Sequence, residues 1–178
     1  MQNDDISISI ILPTLNEIEN LKILIPEIVE VLKSQNIKDF EIIVVDDNSD
    51  DGTETFINTL SEENGKIKII VRSDIKSLPK SIYEGILYSS KSYVMWLDAD
   101  GSMDSNSVEK LIIEQKKDRD SVIVGSRFVE GGGYKGIEKD RKLGIIQYIR
   151  KISNSEDSVL AIYLSCLLYT SPSPRDTE

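Results

Sequence analysis

The sequence predicts an α/β fold with a doubly wound, mostly parallel sheet. Short apolar runs of strand length alternate with longer stretches of helical period, in the order β-α-β-α-β-α-β-α-β. The apolar runs are near-continuous rather than interleaved with polar residues, as in strands covered on both faces. Two of them, Val44-Val45-Asp46-Asp47-Asn48-Ser49 and Tyr93-Val94-Met95-Trp96-Leu97-Asp98-Ala99-Asp100, stop on paired carboxylates. Ligands of open parallel sheets sit beyond the carboxyl ends of the strands, so polar chemistry gathered there agrees with this fold.

Residues 6–12 read as the first strand, ended by Pro13. Residues 17–35 follow as a helix with Ile18, Leu21, Ile25, Ile28 and Leu32 on one face and Asn16 as its cap. Pro26 lies inside it and predicts a kink or break near Leu24-Ile25. Residues 40–45 are the second strand, 53–64 the second helix with Asn64-Gly65 as its stop, and 66–71 the third strand. Residues 79–90 form the third helix, with Pro79 suited to its first turn. The fourth strand spans 92–97, the fourth helix 105–117 and the fifth strand 121–125, followed by the loop Glu130-Gly131-Gly132-Gly133-Tyr134. With strand order 3-2-1-4, winding reverses between strands one and four. Residues 13–17, the Asp46-Asp47 pair and the Asp98-Ala99-Asp100 run would then meet in the crevice at that point.

Composition narrows the functions available. A chain of 178 residues with 39% hydrophobic content can bury a sizeable core as one domain. A net charge of −10 speaks against a nucleic-acid partner and against simple docking on anionic lipid. With no histidine, there is no imidazole base and no imidazole metal ligand. The single cysteine, Cys166, excludes an internal disulfide and a cysteine zinc site, and fits a reducing, cytoplasmic compartment. The polar start Met1-Gln2-Asn3-Asp4-Asp5 does not read as a signal peptide. The longest apolar stretch, 159–169, is interrupted by Ser165 and falls short of the ~18 residues of a membrane span. Core packing is its default reading; Tyr163 and Tyr169 keep open a peripheral contact with the cytoplasmic face of a membrane.

The motifs are weighed against plainer readings. Asp98 and Asp100, two apart at a strand end, would face one ligand together, and a divalent cation bridging to a diphosphate is the functional reading. A lone Asp-x-Asp beside Gly101 is more often a solvated turn; the second acidic pair at a second strand end reverses that balance. In the run from Asp46 to Thr53, Asp50 and Asp51 read as turn and capping residues, with Thr53 or Ser49 as the helix cap. Asp46 and Asp47 are the better site candidates. Pro13-Thr14-Leu15-Asn16-Glu17 reads either as a strand stop with a cap or as a ligand-facing loop. No glycine-rich phosphate loop occurs. Arg127 follows the fifth strand, where it could meet a phosphate or one of 31 acidic residues. Lys139, Arg141 and Lys142 form a basic cluster whose ordinary reading is a solvated helix face.

Residues 6 to about 142 resemble glycosyltransferase family 2 of the inverting GT-A type, and within it the dolichyl- and polyprenyl-phosphate sugar synthases. Ile11-Leu12-Pro13-Thr14-Leu15-Asn16-Glu17 is similar to the opening strand and loop, with Leu15 where a tyrosine is usual. The run from Val44 to Thr53 is similar to the second motif, Asp98-Ala99-Asp100 to the Asp-x-Asp motif, and Gly125-Ser126-Arg127 and Arg141-Lys142-Leu143 to two later basic positions. The resemblance implies a Rossmann-like GT-A fold and a metal-dependent hexosyltransferase. Such an enzyme moves a sugar from a nucleotide-sugar donor, a GDP- or UDP-sugar, to a lipid-phosphate acceptor. It implies a base and ribose pocket at Pro13, Leu15 and Glu17, with Asp47 on the base and Asp46 in support. It also implies Mg²⁺ or Mn²⁺ at Asp98 and Asp100, and phosphate contacts at Arg127 and Arg141. A lipid phosphate is already ionised at neutral pH and needs no strong base, which suits a chain without histidine.

The chain also departs from the pattern. Ser102 stands where a glutamine is common, Ser77-Leu78 replaces a common Gly-Leu, and beyond Leu143 the later acceptor-side motif is absent. The sequence therefore predicts a donor domain over 1–143, a truncated acceptor-side, helical segment over 144–169 and a disordered, non-native tail over 170–178. Two rival readings remain. One is a nucleotide-binding fragment without catalysis. The other is a response-regulator receiver, which would need its acidic pair on the first strand and a lysine where Arg127 stands.

The tail has no apolar anchor, and ordering it would cost roughly 1 kcal/mol or more per residue in backbone entropy with no burial in return. Deleting residues 170–178 should leave the melting temperature unchanged; a drop of several degrees in a thermal scan would assign the tail to the fold.

Overall fold

The computed structural model describes residues 6–101, 103, 105–125 and, as backbone, 147–151. The expected glycine loop at 130–134, Arg127, Arg141, the apolar stretch 159–169 and the tail lie outside the described residues.

The elements alternate as expected: β1 (Ile8–Thr14), α1 (Ile18–Ser34), β2 (Phe40–Asp46), α2 (Thr53–Glu63), β3 (Ile67–Val71), α3 (Leu78–Tyr88), β4 (Tyr93–Trp96), α4 (Ser105–Lys117), β5 (Ile123–Gly125) and β6 (Gln147–Lys151). The sheet order is β3-β2-β1-β4-β6-β5. β1, β2, β3 and β4 are parallel, with Ile10 opposite Ile42 on one side and Met95 on the other. Winding reverses between β1 and β4, as the sequence predicts. A receiver would place β3 on the far side of β1, in the order 2-1-3-4-5, so the strand order removes that reading.

Three boundaries differ from expectation, each for a physical reason. β1 does not stop at Pro13 but runs through it to Thr14. Ile11 O accepts from Leu97 N, so odd-numbered residues of β1 face β4, whose pairing ends at Trp96. Pro13 has no N–H to continue the ladder toward β4, and the pairing ends at Ile11 and Trp96, so the proline falls just past the last pair rather than within it. α1 runs unbroken through Pro26. Pro26 is exposed, and so is Lys22, whose carbonyl loses its helical donor and can turn to water. β6 was not foreseen. Residues 147–151, expected within the helical segment 144–169, pair antiparallel with both β4 and β5. They cover an edge of β4 that would otherwise expose its backbone.

Strand alternation divides the core in two. Ile8, Ile10, Leu12, Ile42, Val44 and Met95 face α1, α2 and α4, meeting Leu21, Ile25, Ile28, Ile57, Val108 and Ile112. Ile11, Ile43, Val45, Val94 and Trp96 face α3, meeting Ile82 and Ile86. Each fully buried isoleucine contributes about 1.5–3 kcal/mol. α3 lies so close that a Cβ on Gly85 would sit 2.5 Å from Ile11 Cγ2, so only glycine fits at that crossing.

The one acidic side chain inside β2, Glu41, is 2% exposed near the amino edge of the sheet. Its carboxylate accepts from Ser9 Oγ at 2.6 Å, Lys68 Nζ at 2.7 Å and Ser90 N at 2.6 Å, which ties β1, β3 and the segment after α3 to β2. Burial alone would raise its pKa. The hydrogen bonds from Lys68, Ser9 and Ser90 outweigh burial and hold the group at about 2, against 4.5 when unperturbed.

A carboxylate depressed in this way stabilises the fold fully above about pH 4.5 and loses that contribution as pH falls toward 2. Urea titrations should therefore show stability falling by about 3 kcal/mol across that window. Glu41→Gln should be less stable at neutral pH and flatter across the same window; an unchanged acid slope in the variant would refute the assignment.

Candidate functional site

Three connections meet at the carboxyl edge of β2, β1 and β4. The first two are locked together by polar side chains. Asn16 takes a left-handed conformation, φ 58°, and its amide donates to Ser49 Oγ at 2.8 Å. In return Asp50 N donates to Asn16 Oδ1 at 3.0 Å. Ser49 donates both its amide and its hydroxyl to Asp46, which is 1% exposed, and Asn48 is left-handed at φ 61°. Asp46 is therefore committed to shaping its own turn. Asn16, expected to cap α1, serves as the strut between the two loops.

The cap comes from across the crevice. Asp51 Oδ2 accepts Ile18 N at 3.0 Å, in the first turn of α1. Asp51 Oδ1 accepts Thr53 N at 3.0 Å and Thr53 Oγ1 at 2.6 Å, at the start of α2. One carboxylate thus serves two helix N-termini, where negative charge is favoured. Burial pushes its pKa up, but the bonds from Thr53 and from the Ile18 amide outweigh it and hold the group below the usual range. Neither Ser49 nor Thr53 caps α2; the position before it is Gly52 at φ 91°.

Asp47 ends β2 in a different network. Oδ1 accepts from Arg72 Nη1 and from Ser81 Oγ at 2.8 Å, and Oδ2 accepts Ser77 N at 2.8 Å. Arg72 is 4% exposed, with Nε 3.0 Å from Glu84 Oε1 and Nη2 buried without a hydrogen-bond partner. Burial would lower the guanidinium pKa, and the carboxylates of Glu84 and Asp47 outweigh it and raise it. The sequence reading passed over Arg72. Its signal was position: it is the first residue after β3, as Asp47 is the first after β2.

Asp98 and Asp100 follow β4 rather than end it. The ladder stops at Trp96, and its last bond is from Leu97 N to Ile11 O at 3.2 Å. The alternation nevertheless persists: Leu97 and Ala99 are buried, and Asp98 and Asp100 are half-buried. Gly101 then turns the chain at φ 73°, close enough to α1 that a Cβ would lie 3.3 Å from Asn20 Oδ1. Asn20 Nδ2 donates to Glu17 Oε2 at 2.6 Å, so the side chain that lies nearest Gly101 also holds Glu17. Leu15 is half exposed beside them, and Pro13 is buried below.

The predicted residues Pro13, Leu15, Glu17, Asp46, Asp47, Asp98 and Asp100 therefore share one edge; Arg127 and Arg141 lie outside the described residues. Among the described residues no group of three or more carboxylates, cysteines or histidines could hold a metal. Asp47 is balanced by Arg72, and Asp46 by hydrogen bonds.

The profile of the family described as Glycosyl transferase family 2 matches residues 9–169. The chain is 35% identical over 136 residues to the dolichol-phosphate mannosyltransferase of Pyrococcus furiosus, covering 76% of this chain and 37% of that protein. It is 30% identical over 135 residues to the dolichol-phosphate mannosyltransferase of Saccharomyces cerevisiae, covering 76% and 49%. To the GalNAc(5)-diNAcBac-PP-undecaprenol beta-1,3-glucosyltransferase of Campylobacter jejuni it is 28% identical over 144 residues, covering 76% and 45%. The chain thus spans 37% to 49% of the length of these curated relatives. Among solved structures, TarS of S. aureus superposes with a TM-score of 0.51 at 20% identity, over 65% of this chain and 20% of that one, a likeness of fold.

Removing Asp47 strips the acceptor from three donors and leaves Arg72 buried against Glu84 alone. Asp47→Ala should cost about 3 kcal/mol in urea unfolding, and Asp47→Ala combined with Arg72→Met should recover at least about 1 kcal/mol of it. A single variant as stable as the wild type would mean that the pair contributes nothing to the fold.

Proposed function

The chain belongs to glycosyl transferase family 2, and we propose that it takes a hexosyl group from a GDP- or UDP-sugar and transfers it, with inversion, to a polyprenyl phosphate. The observation that carries this reading is the Asp47–Arg72 pair, buried just past the carboxyl ends of β2 and β3, on the same sheet edge as the crevice between β1 and β4, with Arg72 Nη2 left without a hydrogen-bond partner. An orphaned buried donor is costly unless a ligand acceptor meets it. Beside it, Asp47 Oδ2 accepts one bond and retains a lone pair. A donor next to an acceptor suits a base that offers a carbonyl and a ring N–H side by side, as guanine and uracil do.

Each nearby residue has a role in that reading. Leu15 and Glu17 line the base and ribose above Pro13, and Asp46 and Asp51 hold the two loops that carry them. Asp98 and Asp100 supply hard oxygen donors two apart. One or two carboxylates plus substrate phosphates suffice for Mg²⁺, so the donor set fits Mg²⁺ or Mn²⁺ without a third acid. A cation bound there would offset the charge of the departing nucleoside diphosphate. Arg127 and Arg141 would meet phosphate on donor or acceptor. The attacking oxygen belongs to a phosphate that is already ionised, so the chain's lack of histidine is no obstacle.

The names of the relatives support a lipid-linked acceptor, dolichol phosphate in two and an undecaprenol-linked glycan in the third. No helix among the described residues is long and apolar enough to cross a membrane, and contact with the cytoplasmic face would be peripheral. A donor domain over 1–143 acting with a longer acceptor-side segment is consistent with the greater length of those relatives. A nucleotide-binding fragment that does not transfer is the second reading. Release of sugar or transfer to a short-chain polyprenyl phosphate separates the two.

Calorimetry tests the donor side. GDP- or UDP-sugar should bind in Mg²⁺ or Mn²⁺ and lose at least about tenfold in affinity in EDTA. Asp100→Asn should remove that metal-dependent part while the melting temperature stays within about 2 °C of wild type. ADP should compete poorly. Equal affinity with and without EDTA would overturn the metal role, and equal competition by ADP would overturn the base assignment.

A further inference from the structure

The connection between β3 and α3 is an apolar finger on a rigid base. Both of its ends are pinned to the carboxyl end of β2. Arg72 N donates to Asp46 O at 2.8 Å and its guanidinium is paired with Asp47, while Ser77 N donates to Asp47 Oδ2 at 2.8 Å. Between these anchors residues 73–76 are all exposed, and Ile75 at the apex is 81% exposed. Val71 before the finger and Leu78 after it are exposed as well. Three large apolar side chains thus stand in water within eight residues, on the edge that carries the candidate site. Lys76 and Lys80 alternate with them and are exposed, against the single exposed acid Asp74. In a chain of net charge −10 this is a local reversal of sign.

We infer that this finger, residues 71–80, is the surface by which the protein rests on a lipid bilayer, with Ile75 and Leu78 in the acyl boundary and Lys76 and Lys80 at anionic headgroups. Apolar side chains interleaved with lysines are the composition of an interfacial contact, and few of them give reversible rather than permanent binding. The rigid base explains why such a contact is useful. A polyprenyl phosphate presents its phosphate at the headgroup level, so a finger fixed to Asp47 sets the donor crevice at a constant height above the acceptor. This placement rests on the lipid-acceptor reading above.

The test uses the 178-residue chain and vesicles without donor or acceptor, made of phosphatidylcholine with or without phosphatidylglycerol. The wild type should sediment with the vesicles, more with phosphatidylglycerol present. Ile75→Ser combined with Leu78→Ser should weaken this by at least about tenfold. Leu87→Ser, which removes a leucine more exposed than Leu78 from the far end of α3, should leave it unchanged. Ile75→Trp should be quenched by brominated lipid, while the buried Trp96 of the wild type is not. Nucleotide-sugar affinity measured in parallel reports whether each variant is folded. No vesicle binding by the wild type, binding that survives the double substitution, or an unquenched Ile75→Trp would each overturn the inference. So would self-association through this finger in sedimentation without any lipid binding. Loss of vesicle binding in the double variant together with no transfer to any polyprenyl phosphate would sustain the finger and sink the acceptor reading. Transfer to a polyprenyl phosphate in vesicles that is indifferent to Ile75 and Leu78 would do the reverse.

Discussion

Burial of β1 on every side is the constraint on which the rest depends. Its seven residues are buried, its faces are covered by α3 on one side and by α1 and α4 on the other, and its edges are taken by β2 and β4. A strand enclosed in this way gives a ligand no access along its length, and its mid-strand polar group, Ser9, is taken up by Glu41. Functional groups can therefore stand only beyond its end, and the reversal of winding opens a crevice there that the flanking strands share. Pro13 marks the change. It is buried like the rest of the strand, yet it sits where β4 has already stopped pairing. From that residue onward the chain is free to follow its loop rather than its ladder.

The edge strand β3 shows how the sheet holds its charges. It is the least buried of the four parallel strands, but it is flanked by two cations that reach β2 at opposite ends. Lys68 reaches Glu41 near the amino edge, and Arg72 reaches Asp47 at the carboxyl edge. Glu41 and Asp47 thereby each have a positive partner as well as neutral donors, which is the condition under which a buried charge is tolerated, while the buried Asp46 is held by the Ser49 amide and hydroxyl. The two pairs differ in what they leave over. Glu41 is satisfied by Ser9, Lys68 and Ser90, whereas the Asp47 pair keeps an unpartnered Arg72 Nη2. Saturation at one edge and a surplus donor at the other is the asymmetry expected of a structural end and a ligand end.

Local chemistry decided what could be read in the sequence. Strand and helix order, the 3-2-1-4 arrangement and the convergence of three motifs were legible because apolar period and the carboxylate stops are properties of single segments. Asp51 was recognised as a capping residue ahead of α2, where it does accept Thr53, but its second bond, from Ile18 of α1, was not, since a cap supplied from another loop leaves no mark in local spacing. Arg72 was overlooked for the same reason: its partners Asp47, Ser81 and Glu84 lie far from it in sequence or on another element. β6 was missed because Gln147-Tyr148-Ile149-Arg150-Lys151 is short and only half apolar, and its strand state is fixed by the open edges of β4 and β5. The boundary placed at Leu143 by fading resemblance is a boundary of motif content; the sheet continues past it.

Rigidity joins the site to its surroundings. The loop after β1, the loop after β2 and the connection from β3 to α3 are not independent. Asn16 and Asp50 exchange a hydrogen bond, Asp51 reaches back to Ile18, and Asp47 holds Arg72 and Ser77 at once. Every one of these bonds ends on the short stretch from Asp46 to Asp51. A displacement of that stretch would move the Asp47–Arg72 pair, the start of α1 and the exposed finger together. The abundance of aspartate there then has a reason beyond ligand contact. A carboxylate accepts several bonds from backbone amides without needing a donor in return, so it can gather three loops where an amide side chain, with half the acceptors, could not. Asp51 is spent on that gathering and Asp46 on the turn between the loops, while Asp47 is held by Arg72, Ser77 and Ser81.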